Sequence, residues 1–117
     1  MKGITADSLK RMLDSGEDFH LVNVLPEDSF EQKHIPGSTN VPYDEVDFVE
    51  RVAKSLDDDP SRIVVYCASE TCDLSPKAAK ALGAAGYPNV FDFEGGVQAW
   101  EERGYPLEGS MISSSHD

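Results

Sequence analysis

Two cysteines, Cys67 and Cys72, are the residues of this chain best suited to covalent chemistry. Cys67 closes the run Arg62-Ile63-Val64-Val65-Tyr66, and Ser75-Pro76 opens a helix a few residues later. That run is nearly continuous in β-branched residues, which suits a strand covered on both faces of a parallel sheet. Ligands of open α/β sheets bind beyond the carboxyl ends of the strands, where Cys67 falls. Between them lie Ala68, Ser69, Glu70, Thr71, Cys72, Asp73 and Leu74. If this loop curls over Cys67, its backbone N–H groups and the helix N-terminus at Ser75 point at the sulfur. Such a setting stabilises a thiolate and lowers its pKa, making a nucleophile. A free cysteine is equally a small hydrophobe that ends a buried strand, and spacing alone leaves both readings open. Cys72 is either a resolving thiol at the rim of the loop or a packing residue. The spacing is not the C-x-x-C of a zinc knuckle or a thioredoxin-type motif. His20, His34 and His116 lie far from both cysteines in sequence, so no metal site is expected.

The elements that must position Cys67 alternate between strand and helix. Thr5 caps a helix with Leu9, Met12 and Leu13 at helical spacing, ended by Gly16. His20 to Val24 reads as a short buried strand and Glu27 to Lys33 as an acidic helix anchored by Phe30. Thr39 to Val41 is a brief strand, and Asp44 to Leu56 an amphipathic helix with Val46, Val49, Val52 and Leu56 on one stripe. The helix after Cys67 takes Ser75 as N-cap and Pro76 in its first turn, and runs to Gly86. Asn89 to Phe93 is a further strand, and Val97 to Arg103 a helix carrying Trp100 as a core residue. Gly37, Gly95 and Gly96 read as turn glycines needing φ > 0, and His34 as a structural hydrogen-bonding group. Tyr66 points away from Cys67 by strand alternation and takes no catalytic part. The class is α/β with a mostly parallel sheet. One domain covers residues 1–109, followed by a frayed polar tail over 110–117.

The 117 residues carry 10 Lys plus Arg against 22 Asp plus Glu, a net charge of −12, with acid excess in both halves. Such a surface repels phosphate backbones and anionic lipids, which argues against nucleic acid and membrane as partners. Its ordinary consequence is colloidal solubility. No apolar run is long enough to span a bilayer, and the first residues lack the apolar core of a signal peptide. A cytoplasmic location is the expectation.

Several stretches together resemble the rhodanese-like (sulfurtransferase) family. They are Leu21-Val22-Asn23-Val24 with the acidic helix after it, His34-Ile35-Pro36-Gly37-Ser38, Asn40-Val41-Pro42 and Ile63-Val64-Val65-Tyr66-Cys67. The alanine-rich helix with Gly86 continues the match, as do Glu94-Gly95-Gly96-Val97-Gln98-Ala99-Trp100 and Gly104-Tyr105-Pro106. The resemblance implies a three-layer fold, a mostly parallel sheet of about five strands with helices on both faces. It also implies that the cysteine at the Cys67 position takes a sulfane sulfur, becomes a persulfide and passes the sulfur to a thiol or other nucleophile.

This chain departs from the family pattern in ways that bear on the donor. Asn23 and Leu25 stand where the family usually has Asp and Arg. The family's active loop starts at Cys and closes with Arg followed by Ser; here that Ser is Ser75, and the loop is lengthened. It contains Glu70 and Asp73 and no Arg or Lys, the nearest cation being Lys77. The chain is similar to family members with a second cysteine in a longer loop. Arg is the favoured binder of oxyanions, so thiosulfate is expected to be a poor donor. A related phosphatase reading fails for want of the same Arg. The leading expectation is a sulfurtransferase working through Cys67, with Ala68 to Ser75 as the substrate-binding loop and no cofactor. Its partners are a small sulfur donor or persulfidated protein and a thiol acceptor. The alternatives are a thiol-redox or sulfur-carrier protein using Cys67 and Cys72, and a catalytically silent module that binds another protein.

Overall fold

Ile63–Tyr66, every residue of it buried, forms the middle strand of a parallel sheet in the computed structural model, which describes residues 2–55 and 62–111. In chain order the elements are β1 (Lys2–Gly3), α1 (Ala6–Asp14), β2 (His20–Asn23), α2 (Glu27–Gln32) and β3 (Thr39–Asn40). They continue as α3 (Phe48–Ser55), β4 (Ile63–Tyr66), α4 (Leu74–Ala84), β5 (Val90–Phe93) and α5 (Gly96–Glu102). The five strands lie in the order β1-β5-β4-β2-β3, all neighbours parallel. Parallel neighbours need crossover connections, and the helices supply them on both faces.

Alternation along the strands divides the core in two. Val22, Ile63, Val65, Cys67 and Val90 face Phe48 and Val52 of α3 and Ala78, Ala79 and Leu82 of α4. Leu21, Val64, Tyr66 and Phe93 face Ala6 and Leu9 of α1 and Val97 and Trp100 of α5. The α/β three-layer expectation therefore holds, with Cys67 and Tyr66 on opposite faces as strand alternation requires. Trp100 is fully buried, its indole N–H donating to the Pro106 carbonyl at 2.7 Å. Thr5 accepts from the Ser8 N–H at 3.1 Å, capping α1. No helix among the described residues is long and apolar enough to cross a membrane.

The structure corrects some local expectations and adds one element. The stretch from Asp44 is a turn before it is a helix, because the Asp44 carboxylate accepts the Val46 and Asp47 N–H groups at 2.8 and 2.7 Å. Val46 is consequently 89% exposed, and the buried pair on α3 is Phe48 and Val52; Leu56 lies outside the described residues. Ser75 is not an N-cap: Asp73 precedes the helix, and Ser75 lies within its first turn, 1% exposed and aimed into the core. Gly95 has φ −66°, an ordinary value, and is small because a Cβ there would meet Ala99. The edge strand β1 has no apolar pattern in the sequence, yet pairs Lys2 and Gly3 with Phe91 and Asp92. At the other end of the chain, Ser110 and Met111 donate to the Glu31 and Gln32 carbonyls of α2 at 2.9 and 3.0 Å. The remaining tail, 112–117, lies outside the described residues.

Candidate active site

Cys67 follows β4 directly and is fully buried, while Cys72 is half-buried, and neither is in a disulfide. The loop between β4 and α4 is held from below by α5. Val97 N donates to the Cys67 carbonyl at 3.0 Å and Gln98 N to the Ala68 carbonyl at 2.8 Å. This close approach needs Gly96, whose φ is +61°. A Cβ there would collide with the Cys67 carbonyl and lie 2.8 and 2.9 Å from Ala68 C and Ser69 N. The loop then turns on itself, Cys72 N donating to the Ser69 carbonyl at 3.0 Å and the Ser69 and Thr71 hydroxyls meeting at 2.9 Å.

The thiol of Cys67 has two acceptors, the Cys72 carbonyl and the Ser75 hydroxyl oxygen, each at 3.6 Å. These contacts hold a protonated sulfur. Burial pushes its pKa up, and the neighbouring Cys72 adds to the rise. The Ser75 hydroxyl and backbone N–H at the start of α4 oppose it without cancelling it. The lowered pKa expected for Cys67 is thus corrected. At Cys72 the loop aims a carbonyl at the sulfur while its amide is taken by Ser69, and desolvation outweighs the donors that remain.

The other loop positions divide by exposure. Ala68, Glu70, Thr71 and Asp73 are exposed, Ser69 and Leu74 intermediate, and Ser75 buried beneath the sulfur. Lys77 is tied to Asp73 at 3.2 Å and faces outward. A groove of about 340 Å³ runs past Ala68 between α2 and α5, its walls including Leu25, Gln98 and Met111. Lys33 is the cation on that wall, and Glu101 holds it at 3.0 Å. On the other flank Glu70 and Glu102 share a second hollow. Oxyanions therefore meet carboxylates and engaged cations around this loop. His34 is structural: its Nδ1 donates to the Phe30 carbonyl at 2.7 Å, and its ring stacks on Phe30 at 3.9 Å. Among the described residues no cluster of three or more His, Cys, Asp or Glu side chains could hold a metal ion.

Sequence reasoning missed one residue. Asp92 lies on β5 in register with Val65, so its side chain enters the face of the sheet that carries Cys67 and α4. It is 1% exposed, and neither carboxyl oxygen has a hydrogen-bond partner. Its polar neighbour is Ser75. The only sign in the sequence is one acidic residue at an inward position of Val90-Phe91-Asp92-Phe93.

A five-stranded parallel sheet covered on both faces, with a cysteine loop at the end of its middle strand, defines the class. The family model for the rhodanese-like domain matches residues 5–103, and the chain belongs to that family. The rhodanese-like domain of Anabaena Alr3790 superposes with a TM-score of 0.82 at 30% identity, over 100% of this chain and 86% of that one. Thiosulfate sulfurtransferase 18 of Arabidopsis thaliana is 31% identical over 89% of this chain and 81% of its own length. The putative sulfur carrier protein YrkF of Bacillus subtilis is 28% identical over 83% of this chain, but the chain spans only 49% of it. Likewise it spans 44% of the Mycobacterium tuberculosis HTH-type transcriptional regulator Rv0324, at 32% identity. At the level of the family, the function is sulfur transfer.

Proposed function

We propose that this chain is a sulfurtransferase that carries sulfane sulfur as a persulfide on Cys67. The observation supporting it is the position of that thiol: at the end of the middle strand, under a short loop, against the Ser75 hydroxyl at 3.6 Å. The Cys67 thiolate attacks the outer sulfur of a donor R–S–SH, giving Cys67–S–SH and releasing R–S⁻. An acceptor thiolate then takes the outer sulfur and returns the Cys67 thiolate. Rate comes from holding the sulfur and excluding water, with the Ser75 N–H and O–H as donors to the charge on sulfur. A neutral or protein-bound persulfide suits the groove beside Leu25 better than thiosulfate does. A reducing cytoplasm, where both cysteines stay thiols, is the matching compartment.

Mass spectrometry after incubation with a persulfide donor tests this reading. One sulfur atom should add to Cys67, and Cys67→Ser should abolish both the adduct and transfer. An unmodified wild-type chain would leave a binding module instead.

The Cys72 backbone carbonyl lies 3.6 Å from the Cys67 thiol, and this closeness of the two residues along the loop favours a second step. The Cys72 thiolate would attack Sγ of the Cys67 persulfide, forming a Cys67–Cys72 disulfide and expelling HS⁻. Sulfide release from a loaded protein lacking external acceptor should then fall in Cys72→Ser. Equal release, with no disulfide in the peptide map, would make Cys72 a packing residue.

A further inference from the structure

The groove between α2 and α5 and the second hollow, of about 220 Å³, meet at Gln98, which lines both. The apolar lining of the groove is Leu25, Ala68, Val97 and Met111. Met111 is 64% exposed, a large apolar side chain left open to water. Its flexible thioether suits an adaptable contact with another molecule. Ala68 directly follows Cys67, so a group that fills the groove ends beside the reactive sulfur.

The charge around this lining has one sign. Glu70 and Glu102 line the second hollow, and among the described residues neither has an ion-pair or hydrogen-bond partner. Glu101 lines the groove and holds Lys33 at 3.0 Å, while Asp73 holds Lys77 at 3.2 Å. Against the carboxylates of Glu70, Glu101 and Glu102, the two hollows set the single cation Lys33. A second copy of this chain carries the same net charge of −12 and is repelled. A small persulfide would reach the loop without covering the apolar lining.

We infer that the groove and the second hollow together dock a basic, cysteine-bearing segment of a partner protein. An apolar side chain of that segment enters the groove, and its lysines or arginines meet Glu70 and Glu102. This rests on the sulfur-transfer reading above and names its substrate class. The partner's cysteine lies over Ala68 and exchanges sulfur with Cys67. In the loading direction the Cys67 thiol and R–S–SH give Cys67–S–SH and R–SH. One S–S bond forms, one breaks with its electron pair on the departing sulfur, and the thiol proton ends there. Complementary charge of this kind acts chiefly on the rate of encounter and on the choice of partner.

The test follows sulfur delivery to Cys67 by mass spectrometry from acetylated hexapeptide persulfides carrying one leucine, one cysteine and two arginines. Companion peptides replace both arginines with glutamine or glutamate, or the leucine with alanine. At low salt the arginine peptide should deliver about tenfold faster than the glutamine peptide, and the glutamate peptide slowest. The difference should vanish near about 1 M salt, where the Debye length is about 3 Å. In the Glu70→Gln/Glu102→Gln variant the arginine-to-glutamine ratio should fall towards one. Met111→Ala should lower the leucine-to-alanine ratio about threefold. All three side chains are exposed, and the peptide series itself needs no variant. Equal rates for the three charge types at low salt, or a preference for glutamate, overturn the proposal. Faster delivery from glutathione persulfide than from the arginine peptide does so too, as does a dimer in sedimentation that Met111→Glu dissociates. Fluorescence anisotropy of labelled peptides with serine in place of cysteine needs no sulfur chemistry, so the two readings fail separately. Arginine-dependent binding without transfer removes the sulfurtransferase reading and keeps the docking surface. Transfer at equal rates from every peptide removes the docking surface and keeps the sulfurtransferase.

Discussion

A methyl group at Gly96 should damage the site from beneath, and the size of the effect follows from two separable costs. The first is conformational. Gly96 sits at φ +61°, and a left-handed alanine costs about 1–2 kcal/mol. The second is steric: the new Cβ would collide with the Cys67 carbonyl and crowd Ala68 and Ser69, an overpacking worth about 1–3 kcal/mol. Together Gly96→Ala should lose about 2–5 kcal/mol. At about 4 °C per kcal/mol for a domain of this size, Tm falls by about 8–20 °C. Gly16 supplies the control. Its φ is +69°, nearly the same, and nothing lies within 4 Å of a Cβ built there, so Gly16→Ala carries the first cost alone. Urea and thermal unfolding of both variants, with m-values compared, give the difference directly. Alkylation of Cys67 should change only in Gly96→Ala, because only there must the loop shift. Equal losses of stability in the two variants would refute the claim that α5 packs tightly against the cysteine loop.

Three further outcomes are expected. Asp92 has a folded-state pKa raised above its ordinary 3.8, so its contribution to stability is present below that value and is lost as pH rises through the raised one. The stability of Asp92→Asn relative to wild type should therefore increase with pH in that window, measured by urea unfolding at several pH values; a constant difference would place Asp92 outside the buried interior. Thiosulfate turnover should be weak at low salt, improve as salt screens the acidic surface, and gain more from Glu70→Arg than turnover of a neutral persulfide does. Steady-state kinetics with the two donors decide this, and strong low-salt thiosulfate turnover by wild type would contradict it. Tyr66→Phe should cost about 1–3 kcal/mol in thermal unfolding, because the lost hydroxyl leaves the buried Ile35 N–H, now bonded at 3.0 Å, without its partner. A neutral substitution would mean that Ile35 finds another acceptor.

What the sequence disclosed is what local chemistry determines. The β-branched run into Cys67, the Thr5 cap and the inward Trp100 all follow from residue type and period, and the structure reproduces them. β1 escaped notice because Lys2 and Gly3 have no apolar pattern, and only pairing with β5 makes them a strand. The helix from Asp44 was misjudged because an Asx-type turn competes with helix at its start, and helical spacing of valines does not register that competition. At the site, Cys67 was legible from its place after the strand. The direction of its pKa was not, since that depends on whether a loop carbonyl or a loop amide faces the sulfur. Ser75 was read as a cap because serine before proline at a helix start usually is one; its burial under Cys67 is a tertiary fact. Asp92 was invisible for a similar reason: a single acid in an apolar run looks like a break in pattern until the strands are in register.

The sheet order places β5 between β1 and β4. Ribosomal synthesis is vectorial, so Lys2 and Gly3 emerge well before Phe91 and Asp92, the β5 residues with which they pair. The β4 platform for Cys67 meets β2 early, but the floor under the loop, at Val97 and Gln98, is translated later still. Contacts of such long sequence separation close slowly. The nascent chain therefore passes through a stage with its cysteine loop unsupported and the apolar edge of β4 uncovered, when both thiols are open to oxidants and to chaperones. Only after α5 has left the exit tunnel does Cys67 become the secluded sulfur of the finished domain.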